Sequence, residues 1–175
     1  MVKSINSFHE VELTKEKTLV ICDIDETLLY YPGIESKCNV MIKDLKNILT
    51  EREFKRELNE IKIMYRTIVP PKHTDLDGFI NMKNKLTNLN GKLIFLTARC
   101  KEYDNFTKNQ ILKVSGLKDE FEIHYTNNQM SKGEYIKNNI PLELWEQVIF
   151  IDDMDSSIES VLQLDCNIQC YKFVL

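Results

Sequence analysis

The chain changes from apolar to acidic within one short stretch, Leu19-Val20-Ile21-Cys22-Asp23-Ile24-Asp25-Glu26-Thr27. The four apolar residues at its start are typical of a strand whose sheet is covered by helices on both faces. Asp23 and Asp25 come at the carboxyl end of that strand, where open α/β sheets bind their ligands. Acidic groups beside an apolar strand are costly unless a cation or a chemical task compensates them. The stretch therefore predicts both an α/β fold and a site.

Short apolar runs alternate with amphipathic stretches along the rest of the chain, which is the pattern of an α/β fold. Strands are predicted at residues 18–23, 92–97, 122–126, 148–151 and 168–174. Helices are predicted at about 75–89, 103–115, 131–140 and 155–163 because their apolar positions follow helical spacing. We therefore expect a three-layer, Rossmann-like sandwich around a mostly parallel five-stranded sheet.

The segment at about 31–75 is too long for a single connection in an α/β unit. Its apolar residues follow helical spacing, and Thr50-Glu51-Arg52-Glu53 has the form of a capping box that begins a helix. Pro70-Pro71 would end that helix. We predict one domain over residues 1–175 with a small helical cap or flap insertion at about 31–75, where Tyr30-Tyr31-Pro32-Gly33 has turn chemistry.

Polar residues also stand at the ends of other predicted elements. Asp152 and Asp153 directly follow the strand at 148–151, so three or four carboxylates would meet at one edge of the sheet. Clusters of oxygen ligands suit Mg²⁺. The strand at 92–97 ends in a hydroxyl, Thr97, and Lys132 opens a helix, where an ammonium group and free backbone N–H groups can bind an anion.

These four segments together resemble the signature of the haloacid dehalogenase superfamily. That signature is D-x-D-x-T, then a strand-terminal Thr or Ser, then a Lys at a helix start, then an acid pair after a strand. The matching residues occur in the family's order: Asp23, Asp25 and Thr27; Thr97; Lys132; Asp152 and Asp153. The resemblance spans about three quarters of the chain.

The resemblance implies a Mg²⁺-dependent phosphatase with an aspartyl-phosphate intermediate on Asp23. Asp25 would be the general acid and base, because this second acid is the family's mark of phosphatases and phosphomutases. Thr97 and Lys132 would bind the phosphoryl group. The implied metal ligands are the Asp23 carboxylate, the Asp25 backbone carbonyl and Asp152, with Asp153 binding directly or through water.

The sequence leaves two assignments open. The family often has G-D-x-x-x-D at the acid pair, whereas here Ile151 replaces the glycine and Asp155 follows at a different spacing. Either Asp153 or Asp155 could therefore complete the outer shell of the metal. Arg99 could contact the substrate or pair with an acid on the neighbouring helix.

The net charge of the chain bears on the class of substrate or partner that it binds. The 175 residues carry a net charge of −4, whereas proteins that bind nucleic acids usually have a basic excess. We expect a small phosphorylated metabolite or nucleotide as substrate. A nucleic-acid end phosphatase is the alternative, and it predicts a basic surface from Lys37, Lys43, Lys46 and Arg52. A second alternative is an interaction module that keeps the fold without catalysis.

Cellular location is predicted from what the sequence lacks. The first 19 residues have no apolar core of signal-peptide length, and no apolar run is long enough for a membrane span. The five cysteines show no C-x-x-C spacing, so we expect free thiols in a reducing compartment. These features predict a cytoplasmic protein without membrane partners, and they leave its oligomeric state open.

Overall fold

The computed structural model describes residues 2–118 and 121–175, with the backbone alone at positions 35, 52, 55 and 59. The chain divides into two compact units, Met1–Leu29 with His73–Leu175, and Tyr30–Lys72. Among the described residues, no helix has the length and apolar character that crossing a membrane requires.

The larger unit is built on a six-stranded sheet in the order β1-β8-β7-β2-β5-β6. Its five pairings are all parallel. A two-stranded sheet joins β3 and β4. The strands are β1 (Val2–Ile5), β2 (Thr18–Cys22), β3 (Leu29–Tyr30), β4 (Lys72–His73), β5 (Lys92–Thr97), β6 (Glu122–Tyr125), β7 (Gln147–Asp152) and β8 (Ile168–Phe173). The predicted count of five strands is corrected to six, because β1 adds an edge strand.

Six α-helices accompany these strands. They are α1 (Ile34–Ile42), α2 (Glu51–Ile68), α3 (Leu76–Asn88), α4 (Asp104–Ser115), α5 (Lys132–Asn139) and α6 (Asp155–Leu162). Helices α3 to α6 fall where the apolar spacing predicts them. Side-chain caps explain two of their starts, since Asp75 accepts from Gly78 N and Ser131 accepts from Glu134 N.

Successive residues of the strands serve two separate cores. Val20 and Cys22 of β2 pack in one cluster with apolar residues of α3 and α4. Leu19 and Ile21 belong to a second cluster with apolar residues of α5 and α6. The sheet therefore has helices on both faces, and the predicted three-layer α/β sandwich is confirmed. Because both faces are closed, polar residues reach solvent at the ends of the strands.

The smaller unit is helical. Thr50 and Glu53 form the predicted capping box at the start of α2, with Thr50 N donating to Glu53 Oε2 over 2.9 Å. Its small core contains three buried residues, Tyr31, Ile34 and Cys38, against which Leu58, Ile61 and Tyr65 pack. The turn at Pro32 and Gly33 leads directly into α1. The action of this unit as a cap stays a prediction.

Candidate active site

The two acid-bearing strands are neighbours, and their acids lie at the same edge of the sheet. Cys22 of β2 is paired in register with Ile151 of β7, so that Asp23 and Asp152 are the next residues on adjacent strands. Asp23 N donates to the Ile151 carbonyl over 2.9 Å, which continues the ladder beyond β2. Asp23 is 5% exposed and Asp152 is fully buried. Both carboxylates therefore depend on nearby cations and donors.

The chain turns sharply after Asp23. Leu28 N and Leu29 N both donate to the Ile24 carbonyl, and Glu26 N donates to the Leu29 carbonyl over 2.7 Å. Glu26 has a φ of 61°, a left-handed conformation that L residues adopt at a cost. Such strained positions concentrate at functional sites. The turn places Asp25 beyond the end of the sheet, and Thr27 is fully buried.

Lys132 reaches the acids from the first turn of α5. Its Nζ donates to Asp23 Oδ1 and, over 2.6 Å, to Asp152 Oδ2. The next residue, Gly133, allows α5 to approach α6 closely, because a Cβ there would lie 2.0 Å from the Ser160 carbonyl oxygen. Gly133 N also donates to Ser160 Oγ over 3.0 Å. This close packing fixes the helix end from which the ammonium group projects.

Asp153 completes a group of three carboxylates. One oxygen of each of Asp23, Asp152 and Asp153 lies within 4.8 Å of the others. Thr27 Oγ1 donates to Asp153 Oδ1 at 3.4 Å, and Met154 N donates to Asp152 Oδ1 at 2.9 Å. Three carboxylates thus stand against the single ammonium group of Lys132.

This excess of negative charge appears in the pKa values. Burial raises the pKa of Asp23, and the neighbouring carboxylates raise it further against the opposing effect of Lys132. Burial and the charge of Asp152 raise the pKa of Asp153 to about 6. Burial alone would lower the pKa of Lys132, but Asp23 and Asp152 outweigh it and raise that pKa above its usual range. The two acids therefore favour the charged form of Lys132.

The donor set fits Mg²⁺, since it offers only carboxylate oxygens and is short of positive charge. Asp155, the other candidate for the outer shell, lies elsewhere. Its Oδ1 accepts from Lys172 Nζ over 2.6 Å, and its side chain is mostly exposed. Among the described residues, the cluster contains Asp153 and not Asp155.

Thr97 is the last residue of β5, which neighbours β2 on the side away from β7. It is buried, and its Oγ1 accepts from Arg99 N at 3.2 Å. Its backbone carbonyl accepts from Thr126 N at 2.9 Å, so the residue is tied to the end of β6 as well. Thr97 therefore lies at the same edge of the sheet as the three acids.

Arg99 pairs with Asp25, a residue that the sequence analysis assigned to the site but did not pair with Arg99. We expected either substrate or an acid on the neighbouring helix, whereas its guanidinium donates to both carboxylate oxygens of Asp25. The sequence held one usable signal, namely that Arg99 follows the strand beside the one that carries Asp25. Because strands β2 and β5 are adjacent and parallel, their flanking residues meet.

The fold was compared with known proteins. No protein-family model and no curated protein sequence matches the chain. A solved structure from Thermotoga maritima, assigned as a beta-phosphoglucomutase, matches 90% of this chain and 86% of its own with a TM-score of 0.56 at 16% identity. One from Clostridium difficile, assigned as a phosphatase, matches 92% of this chain and 96% of its own with a TM-score of 0.53 at 16% identity.

A third match comes from the structure of the Pnkp1/Rnl/Hen1 complex. It covers 95% of this chain but 50% of that longer chain, with a TM-score of 0.52 at 14% identity. At these identities the matches establish the architecture. The chain shares the fold of these two solved structures, and the α/β fold class predicted from the sequence is confirmed.

Proposed function

We propose that the protein is a Mg²⁺-dependent phosphomonoester hydrolase in which Asp23 is the nucleophile. The observation that carries this proposal is the position of Lys132 Nζ, in contact with both Asp23 and Asp152 at the carboxyl edge of the sheet. A carboxylate beside a cation can approach an anionic phosphate without prohibitive repulsion. The second acid, Asp25, supplies the proton transfers that a phosphatase needs.

The reaction would proceed in two steps. In the first, an Asp23 carboxylate oxygen bonds to phosphorus while the bond to the leaving oxygen breaks, and Asp25, which carries a proton at the start of this step, gives that proton to the leaving oxygen. In the second, Asp25 takes a proton from water as the water oxygen attacks phosphorus, and the bond to Asp23 breaks to release phosphate. Thr97 and Lys132 would hold the phosphoryl oxygens throughout.

The carboxylates of Asp23, Asp152 and Asp153, with the backbone carbonyl of Asp25, would hold Mg²⁺. When bound, the ion would supply positive charge that reduces the repulsion between these carboxylates and an anionic phosphate. This assignment rests on the oxygen-only character of the cluster and on its three carboxylates against one ammonium group.

We propose a small phosphorylated metabolite or nucleotide as the substrate class, because the net charge of −4 opposes a polyanion. The second candidate is a nucleic-acid end phosphatase. It is favoured by three exposed lysines of the smaller unit, Lys37, Lys43 and Lys46. The side chain of Arg52, the fourth member of the predicted basic surface, lies outside the described part of the chain. A silent interaction module has less support, since each proposed position holds a competent residue.

The test is phosphate release from p-nitrophenyl phosphate, a panel of phosphorylated metabolites, and oligonucleotides with a terminal phosphate. We expect turnover that requires Mg²⁺ and is lost in Asp23→Asn. Asp155→Asn is the matched control, because it removes an exposed carboxylate that pairs with Lys172. Turnover that survives Asp23→Asn would exclude this nucleophile, and turnover unaffected by chelation of metal would exclude the metal role. Preference for the oligonucleotides would select the second candidate.

A further inference from the structure

Arg99 forms a bidentate ion pair with Asp25. Its Nε donates to Asp25 Oδ2 over 2.9 Å and its Nη2 donates to Oδ1 over 2.7 Å. The two side chains are 8% and 18% exposed, so the pair is largely shielded from water. A guanidinium that meets both oxygens fixes the plane of the carboxyl group as well as its position.

The other side of the guanidinium is anchored to α4. Nη1 of Arg99 donates to Thr107 Oγ1 over 3.1 Å and to Gln110 Oε1 over 2.9 Å. Both anchors are buried, and both are uncharged. Arg99 thus connects a rigid helix of the fold to a carboxyl group that follows a sharp turn.

A purely structural role does not explain this arrangement well. Asp25 lies beyond the end of β2, where the chain has already left the sheet. Replacing a buried ion pair by apolar residues often leaves stability unchanged or improves it, so such a pair is weak evidence of a stabilising role. Fixing a carboxyl group in one orientation does have a chemical use, because proton transfer demands hydrogen-bond geometry to the reacting oxygen.

We propose that Arg99, anchored by Thr107 and Gln110, is a positioning residue that orients the Asp25 carboxyl group for proton transfer to the leaving oxygen. The proposal rests on the proposed function of the site. Arg99 itself transfers no proton and forms no bond to phosphorus. Its effect is to keep Asp25 from rotating away from the bond that breaks.

The consequence is a dependence on the leaving group. An alkoxide is a poor leaving group and needs the proton from Asp25, whereas a nitrophenolate leaves without one. In Arg99→Gln we expect kcat to fall about 10²–10³-fold for alkyl phosphates, within the roughly 10²–10⁴-fold contribution of general acid catalysis, and less than about 10-fold for 2,4-dinitrophenyl phosphate. Arg99→Lys keeps the charge but cannot make the bidentate contact. We expect its activity on alkyl phosphates to lie between those of Arg99→Gln and the wild type.

Two further variants separate orientation from folding. Thr107→Val removes one anchor and leaves Arg99 in place, so it should produce the same leaving-group pattern with a smaller loss. In an Asp25→Asn background, Arg99→Gln should cost little more activity, because the group that it orients is gone. Lys113→Gln, an exposed charge removal on the same helix, is the matched control and should leave kcat unchanged.

The outcomes distinguish this proposal from the proposed function. If turnover requires Asp23 but Arg99→Gln lowers kcat equally for all leaving groups, Arg99 has no positioning role and the phosphatase assignment stands. Additive losses of Asp25→Asn and Arg99→Gln would overturn the positioning role in the same way. If no phosphate ester is turned over by an Asp23-dependent route, the proposed function fails, and the role of Arg99 fails with it.

Discussion

Two cations meet carboxylates at the same edge of the sheet, and they do so differently. Lys132 is a compact ammonium group that bridges two buried acids, Asp23 and Asp152. Arg99 is a planar guanidinium that donates to both carboxylate oxygens of Asp25 and also donates to two uncharged side chains of α4. The Lys132 ammonium group is a compact charge among several acids. The Arg99 guanidinium fixes the orientation of the Asp25 carboxyl group.

The difference indicates two separate needs within one site. The region around Lys132 has more carboxylates than cations, so its problem is the compensation of charge. At Asp25 the geometry is defined at both carboxylate oxygens, so the problem there is orientation. A lysine ammonium group suits the compensation of charge, and an arginine guanidinium suits the orientation of a carboxyl group. The Arg99→Lys variant tests this difference directly.

The largest effect is expected from Lys132→Met, which leaves two buried carboxylates without their ammonium group. Breaking a buried ion pair by removing one partner costs about 3–5 kcal/mol, and loss of a charge that stabilises the transition state lowers kcat about 10²–10³-fold. The free energy of unfolding should be measured in urea with and without Mg²⁺. We expect Mg²⁺ to restore part of the lost stability, because a bound cation compensates the same acids.

Lys172→Met is the control for that experiment. Lys172 pairs with Asp155, whose side chain is 71% exposed, so the loss should stay below about 1 kcal/mol. Equal losses in the two variants would show that the Lys132 cluster is no more than a surface-type ion pair. Lys132 would then not be needed to compensate the buried acids, and its contrast with Arg99 would be wrong.

A second prediction concerns the acid of the outer shell. Asp153→Asn should raise the Mg²⁺ concentration needed for half-maximal activity about 10–100-fold, the usual cost of changing a group that supports a metal site. Asp155→Asn should leave it unchanged, because Asp155 lies outside the carboxylate cluster and pairs with Lys172. The measurement is a Mg²⁺ titration of phosphatase activity. A larger effect from Asp155 would reverse the assignment made from the geometry.

The strands and the acids could be predicted from sequence because their signals are local. An apolar run such as 148–151 fixes a buried strand, and an acid directly after it fixes the edge at which it emerges. Strand β1 escaped prediction because three of its four residues are exposed, so it has no continuous apolar run. Its place in the sheet depends on pairing with β8, a partner at the opposite end of the chain.

The contact between Arg99 and Asp25 could not be predicted for a related reason. The two residues are 74 positions apart, and the contact depends on the turn at Glu26 and on the anchors of α4. Sequence spacing indicates which strands run side by side only after the strand order is known. It carries no information on the direction of a side chain that follows a left-handed residue.

The half-buried His73 extends the comparison, because in the described part of the chain its imidazole packs among aromatic rings and not beside a cation. Its ring packs against Phe8 and Phe79, and its Nδ1 accepts from Asp75 N over 3.1 Å. Among the described atoms its Nε2 is buried and has no hydrogen-bond partner. Burial lowers the pKa of His73 to about 4, against a smaller opposing effect of Asp75. The folded protein therefore keeps this imidazole neutral.

The neutral imidazole of His73 leads to the smallest of the expected effects, a dependence of folding stability on pH. Between the unfolded pKa of 6.5 and the folded value of about 4, the unfolded chain binds more protons than the folded one. The contribution of His73 is therefore complete above pH 6.5 and is lost as the pH falls toward 4. Because the side chain is partly accessible to solvent, we expect a loss of roughly 1–2 kcal/mol over that range. Urea unfolding at several pH values measures it.

His73→Gln should flatten this part of the pH dependence, because glutamine can still accept from Asp75 N but does not titrate. His9→Gln removes an exposed histidine and should keep the wild-type difference, since His73 is still present. If His73→Gln leaves the slope between pH about 4 and 6.5 unchanged, the imidazole is charged in the folded state after all. A charged imidazole would then be tolerated in an aromatic environment, and the contrast between the compensated charges around Lys132 and the neutral His73 would be wrong.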